Sequence, residues 1–258
     1  MKGDLSWLWA FGLVLVRVSG LLLVAPVFAG QYIPAKIRVF TAIVLALLVT
    51  GPLMQQGPFA IRSDLLPVTV ALELLVGLLM GLAYRWTMFG VAVAGEAIGL
   101  QMGLGIASVI DPGSGMQSNF VQTLFLMVYS VLFLALDGHH EMLRAFCASY
   151  RILPPGPQAV DLSCLSGLIE QTVALFIVGI RLSATLLIPL ALIMCAMALV
   201  ARAFPQANVF FLSYSVSLLL GLFLLSTVGP AVRLAVEHGI RQGTRDALRW
   251  VQGLAGLM

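Results

Sequence analysis

The chain consists largely of long apolar runs separated by short polar stretches. Hydrophobic residues make up 60% of its 258 residues and charged residues 10%, with a mean hydropathy of +1.04. Soluble globular domains carry about a quarter of their residues as charged ones. Most runs approach or exceed the roughly 20 residues of a membrane-spanning helix, and they cover 5–29, 39–56, 65–106, 120–136, 167–200 and 209–232. The pattern predicts an all-α, polytopic helical membrane protein.

Single charges interrupt these apolar runs at Arg17, Glu73, Arg85, Glu96, Asp137, Glu170 and Arg181. A charge at the bilayer centre costs about 2.5 to 3.5 kcal/mol, so these charges together would cost about 20 kcal/mol if they faced lipid. That exceeds the net stability of an ordinary domain, which is about 5 to 15 kcal/mol. The charges therefore need protein or water beside them.

The number of membrane crossings depends on the run 65–106, which is long enough for two spans. Dividing it at Arg85 gives about seven crossings, and leaving it whole gives about six. Pro189 lies inside an apolar run and is expected to kink its helix. Arg17 interrupts the first run, which argues against a cleaved secretory signal, so we expect residues 5–29 to remain as a helix. Basic residues are more frequent on the side of the C-terminus, which we expect to be cytoplasmic.

Gly95, Gly99 and Gly103 recur at every fourth position. This spacing is typical of a seam where another helix backbone approaches closely. Glu96 lies beside the seam and Arg85 projects from the same helical face, about three turns away. Because neither charge reaches the other, we expect Arg85 and Glu96 each to find a partner on another helix or another subunit. Arg17 and Glu73 are expected either to form ion pairs between subunits or to line a transport route.

A small-residue loop follows the seam, between two strongly apolar runs. It is either an exposed turn or a re-entrant, pore-lining segment, since irregular backbone at membrane depth must be buried in protein or line a water-filled cavity. Its residues are Gly105, Ile106, Ala107, Ser108, Val109, Ile110, Asp111, Pro112, Gly113, Ser114, Gly115, Met116, Gln117 and Ser118.

No pattern in the sequence predicts catalysis, a cofactor or a metal site. His139 and His140 follow Asp137 closely, but adjacent helical residues point about 100° apart, and a zincin needs His-Glu-x-x-His. We expect this Asp-Gly-His-His tetrad to end the helix before it and to hydrogen-bond its neighbours. The three cysteines have no Cys-x-x-Cys spacing and predict neither zinc nor a disulfide framework.

Near the C-terminus, Arg241, Arg245 and Arg249 form one basic stripe if the segment is helical. Such a stripe suits anionic lipid headgroups or a cytoplasmic partner protein. The formal charge of +3 indicates no nucleic-acid partner, because the basic residues mostly flank apolar spans.

Five segments, in order and at matching spacing, resemble the FliR family of flagellar biosynthetic proteins and its counterparts in virulence type III secretion. They are RVSGLLLVAPVFAGQYIPAKIRV from Arg17, ELLVGLLMGLAYR from Glu73, GEAIGLQMGLGIASVIDPGSG from Gly95, DGHH from Asp137 and RAFPQANVFF from Arg202.

The resemblance implies a single-copy, non-enzymatic subunit of the export gate, assembled with FliP and FliQ and acting with FlhB- and FlhA-type components. It implies one domain over 1–258, with a FliP-like part over about 1–165 and a FliQ-like hairpin with a basic segment over 166–258. Residues 105–118 are similar to the family's plug, which closes the channel for exported flagellar proteins in the bacterial inner membrane.

Two other functional classes remain open from the residues alone. A solute or ion transporter working alone would explain charges within membrane spans. A membrane enzyme would explain the histidine pair, but no accompanying motif supports it.

Overall fold

The computed structural model describes residues 2–30, 33–55, 65–104, 119–156, 167–203 and 209–256. The elements in these ranges are α-helices, which confirms the predicted fold class. They are α1 Lys2–Val24, α2 Ala35–Met54, α3 Leu66–Gln101, α4 Phe120–Ala135, α5 Gly138–Ile152, α6 Gly167–Ala203, α7 Val209–Leu225 and α8 Gly229–Leu254.

Four of the described helices are long and apolar enough to cross a membrane: α1 from Ser6 onward, α2, α3 and α6. In addition, α4 and α5 meet at a bend of 65°, and α7 and α8 at a bend of 57°. Counting each bent pair as one span gives up to six crossings in the described part of the chain. The count of six is therefore compatible with the structure.

Of the two alternatives for the run 65–106, the undivided one is found, because α3 is one helix of 36 residues. Pro67 stands in its first turn, where a missing N–H does no harm, and no proline follows it in the helix. The Arg85 side chain donates through Nη1 to the Val24 carbonyl at the end of α1, at 3.4 Å. The charge thus has a polar partner without any break in α3.

Helix α6 is also continuous, over 37 residues that include Pro189. At 1.5 Å per residue it is about 55 Å long, well beyond the roughly 30 Å of a hydrocarbon core. Only 11% of its most apolar stretch is buried within the chain. The described residues of the chain therefore bury little of this stretch of α6.

The chain forms two compact units. Unit 1 comprises Met1–Trp86, Phe133–Gln171 and Gly239–Met258. Unit 2 comprises Thr87–Leu132 and Thr172–His238. Each unit combines segments from both parts expected from the family resemblance, 1–165 and 166–258.

Within unit 1, the amphipathic helices α5 and α8 each bury one face. Helix α5 buries Met142, Phe146 and Tyr150, which lie at four-residue intervals. Helix α8 buries a face that includes Ala247 and Val251. The segment is helical and its arginines at 241, 245 and 249 are exposed, so the condition for one basic stripe is met.

Candidate functional site

Glycines bring α1 and α3 into close contact in unit 1. A Cβ atom on Gly77 would overlap the Arg17 carbonyl oxygen, and one on Gly81 would lie 2.6 Å from the Leu21 carbonyl oxygen. From the other side, a Cβ on Gly20 would lie 2.7 Å from the Leu74 carbonyl oxygen. Since only glycine leaves room for such an approach, these positions determine how closely the two helices pack.

This approach places Arg17 of α1 against Glu73 of α3. Arg17 Nε donates to Glu73 Oε2 at 2.5 Å and Nη2 donates to Oε1 at 3.0 Å. Arg17 is fully buried and Glu73 is 3% exposed. Two parallel charge-assisted bonds of this kind fix the orientation of both side chains as well as their distance.

Helix α5 and the residue that follows it complete the coordination of the guanidinium. Arg17 Nη1 donates to Ser149 Oγ at 3.1 Å, and Nη2 donates to the Leu153 carbonyl at 3.1 Å. The Tyr150 ring lies beneath Arg17, with Cζ 4.1 Å from the ring centre. We call Arg17, Glu73, Ser149, Tyr150 and Leu153 the charge cluster; it ties together α1, α3 and the end of α5.

The geometry of the charge cluster suits a structural role. Both Glu73 oxygens accept bonds from Arg17, and the carboxylate has almost no contact with solvent. The cavity beside Glu73 has a volume of about 10 Å³, room for about one water molecule. A buried, bonded pair without space for a substrate holds helices together and is not placed for acid–base chemistry.

Other subunits were among the expected partners of Arg17 and Glu73, and for this pair that expectation is corrected. The two residues are bonded to each other within one chain and leave no exposed charge for a neighbour. The physical reason is the glycine contact between α1 and α3, which brings together residues that lie 56 positions apart.

Glu96 and the seam glycines lie in unit 2. The Glu96 side chain is half-buried, and its carboxylate makes no hydrogen bond to another described residue. A Cβ on Gly95 would lie 2.8 Å from the Gln122 Cα of α4, and one on Gly99 would overlap the Asn119 side chain. Gly103 lies beyond the end of α3, with φ of 82°, and serves the turn there.

The small-residue loop 105–118 lies outside the described residues, but both of its flanks meet at Gly99. On one side, the Leu104 N–H donates to the Gly99 carbonyl at 2.9 Å. On the other, the Asn119 side chain packs against Gly99 and accepts the Val121 N–H at 3.0 Å. The residues just before and just after the loop therefore lie close together, beside Gly99 of α3.

Several polar contacts of unit 1 were not found from the sequence. Gln171 Nε2 donates to the buried carboxylate of Asp246, and the Tyr84 and Thr244 hydroxyls share a hydrogen bond of 2.8 Å. Ser149 also belongs to this group. The residues carry no motif, and their partners lie 75, 160 and 132 positions away, so only the tertiary fold identifies them.

The Asp-Gly-His-His tetrad ends α4 and begins α5, as predicted. Asp137 Oδ1 and His140 Nδ1 share a hydrogen bond of 3.0 Å. Both side chains are exposed.

Comparison with known proteins agrees with this architecture. Residues 8–243 match the family model described as bacterial export proteins, family 1. The flagellar biosynthetic protein FliR of Caulobacter vibrioides is 34% identical over 83% of this chain and 86% of its own length. The FliR proteins of Bacillus subtilis and Escherichia coli are 28% and 25% identical, over 96% and 91% of this chain and 96% and 89% of their own lengths.

The family match covers almost all of the described helices, so the resemblance found in the sequence is confirmed. The chain therefore belongs to the bacterial export proteins of family 1, the family of the flagellar biosynthetic proteins FliR.

Proposed function

We propose that this chain is a non-enzymatic core subunit of a flagellar type III export gate in the bacterial inner membrane. With FliP and FliQ it forms the channel through which unfolded flagellar proteins cross. One copy is present in each gate, and FlhB- and FlhA-type components act downstream on the cytoplasmic side, where the basic C-terminal helix lies.

The observation that carries this proposal is the family match over residues 8–243, together with flagellar relatives that align over most of their length. The architecture is compatible with it. The charge cluster is satisfied inside the chain, whereas α6 exposes apolar side chains along its length. A subunit whose buried charges are bonded within the chain, and which exposes one long apolar helix, suits assembly with other membrane proteins.

The small-residue loop is the proposed seal of the channel. Glycine and proline allow residues 105–118 to form a compact closed structure, and small side chains let it be displaced by a passing chain. The meeting of its flanks at Gly99 supports the idea, because both ends of the loop lie against the same point of α3.

Purification of the tagged chain from native membranes tests the proposed function. Native mass spectrometry is expected to find one copy of this chain bound to several copies of small membrane proteins. A transporter of solutes would instead purify alone and move its substrate in proteoliposomes. Recovery of a solitary chain from cells that assemble flagella would contradict the proposal.

A further inference from the structure

The turn between α4 and α5 brings together three side chains that have no place in the proposed gate. Asp137 has a left-handed backbone conformation, with φ of 57°, immediately before the first residue of α5. Its carbonyl accepts the N–H groups of His140 and Glu141, at 2.9 and 3.2 Å. This geometry folds the Asp137 side chain back over the first turn of the helix.

In contrast to the sequence-based expectation, His139 and His140 do not diverge. Their ring centres lie 4.1 Å apart. One imidazole nitrogen from each ring and one Asp137 carboxylate oxygen all lie within 4.8 Å of one another. These are three donors of the kind that late first-row transition metals prefer.

We propose that Asp137, His139 and His140 bind one divalent transition-metal ion, of which Zn²⁺ is the representative. Metal–nitrogen and metal–oxygen bonds of about 2.0 to 2.2 Å place donor atoms roughly 3 to 4 Å apart. Asp137 and His140 are exposed and His139 is half-buried, and small rotations of the three side chains bring the donors to that spacing. Water molecules would fill the remaining positions, as they do in three-ligand zinc sites.

Two features of the cluster favour a metal. His139 Nδ1 is buried and has no hydrogen-bond partner among the described residues, so no described group fixes the orientation of this imidazole. Asp137 and His140 share a hydrogen bond, and the metal would take the place of the shared proton. The N-terminus of α5 is the positive end of the helix dipole and alone disfavours a cation. The negative charge of the Asp137 carboxylate offsets that effect.

The neighbouring charges leave the cluster accessible. Glu141 accepts a hydrogen bond from Arg144 at 2.7 Å, so this pair is engaged along the flank of α5. The third histidine of the chain, His238, is exposed on α8 and does not belong to the cluster. It is therefore a matched control with the same side-chain chemistry.

Zinc titration of the full chain tests this site. The chain is purified with a histidine-free tag together with its bound membrane partners, stripped with a chelator, and titrated with Zn²⁺ by calorimetry. One Zn²⁺ per copy of this chain is expected. His139→Asn, His140→Asn and Asp137→Asn should each weaken its affinity about tenfold or more, while His238→Asn leaves it unchanged.

A His140→Cys variant keeps a donor atom and covers the case in which the Asn variants fail to purify. It should retain Zn²⁺, and its Co²⁺ form should gain a thiolate absorption band. The proposal would be overturned if the chain bound no Zn²⁺ of its own, or if His139→Asn and His140→Asn bound it as tightly as the unchanged chain. Loss of binding on His238→Asn would also overturn it. Failure of the His140→Cys variant to bind would do the same.

Discussion

Arg17 and Glu73 are charged side chains that have almost no contact with water. Their bonds to each other and to α5 offset the cost of removing them from solvent. Loss of one partner leaves the other as an uncompensated charge in an apolar interior. Loss of both, with apolar side chains of similar size in their place, removes that problem.

Glu73→Leu is therefore expected to lower the free energy of unfolding by about 3 to 5 kcal/mol. The double variant Arg17→Met/Glu73→Leu should recover most of this loss. Denaturant unfolding in detergent measures both. Arg144→Met, which removes the exposed bond to Glu141, is the control and should change stability by less than about 1 kcal/mol. A double variant as unstable as the single one would contradict an electrostatic origin.

Gly77→Ala tests the close approach of α1 and α3. The added methyl group meets the Arg17 backbone carbonyl, which cannot rotate away, so we expect a loss of about 1 to 3 kcal/mol in stability. Gly12→Ala adds the same group within α1, where nothing lies within 4 Å. It should be neutral or stabilise by up to about 1 kcal/mol. Similar effects at both positions would show that the contact is unimportant.

The sequence indicates that Arg17 and Glu73 need partners but does not identify them. The sequence excludes exposure of either charge to lipid, because the free-energy cost of a charged side chain in the bilayer depends only on the residue type. The choice of partner depends on how closely α1 and α3 approach, and on where α5 ends. Ser149 and the Leu153 carbonyl have no signature in the sequence, so the charge cluster becomes visible only in the folded chain.

At the scale of helices, hydropathy located the apolar segments but left open whether the run 65–106 divides at Arg85. Arg85 resembled a boundary because a charge inside an apolar run is costly. In the structure its guanidinium reaches the Val24 carbonyl, and α3 continues past it. A count of apolar residues does not show which polar groups a long side chain can contact. The bend at Asp137, in contrast, was expected from the polar tetrad.

Deletion of residues 105–118 is expected to raise ion conductance through the assembled gate, because the proposed seal is removed. Electrical recording from the reconstituted complex measures it. A Gly/Ser linker of the same length is the companion variant; it keeps the connection between Leu104 and Asn119 but lacks the apolar side chains. It should also leak while the complex still assembles. Unchanged conductance in both variants would refute the seal.

For the molecule as a whole, α6 carries a large apolar surface that the described residues leave exposed. Leu192 is 66% exposed, whereas Leu190 on the same helix is fully buried in unit 2. Lipid tails are as apolar as the side chains of a membrane helix. The composition of an exposed apolar surface therefore does not show whether lipid or another subunit covers it.

A photo-crosslinking amino acid at Leu192 is expected to capture a small membrane protein in cells that assemble the gate. The same group at Leu190 is the control and should react only within the chain. Mass spectrometry of the adducts identifies the products. If Leu192, Ile188 and Leu199 yielded lipid adducts alone, α6 would not be the surface that contacts partner subunits.

The charge cluster also has a consequence for how the chain is made. Arg17 precedes Glu73 by 56 residues and Leu153 by 136, so a ribosome delivers the guanidinium to the membrane long before its binding groups. During that interval the Arg17 charge of α1 has not yet bonded to its partners from later parts of the nascent chain. Truncated products that stop before α5 lack Ser149, Tyr150 and Leu153, three of the residues that hold Arg17, so we expect quality-control proteases to remove them.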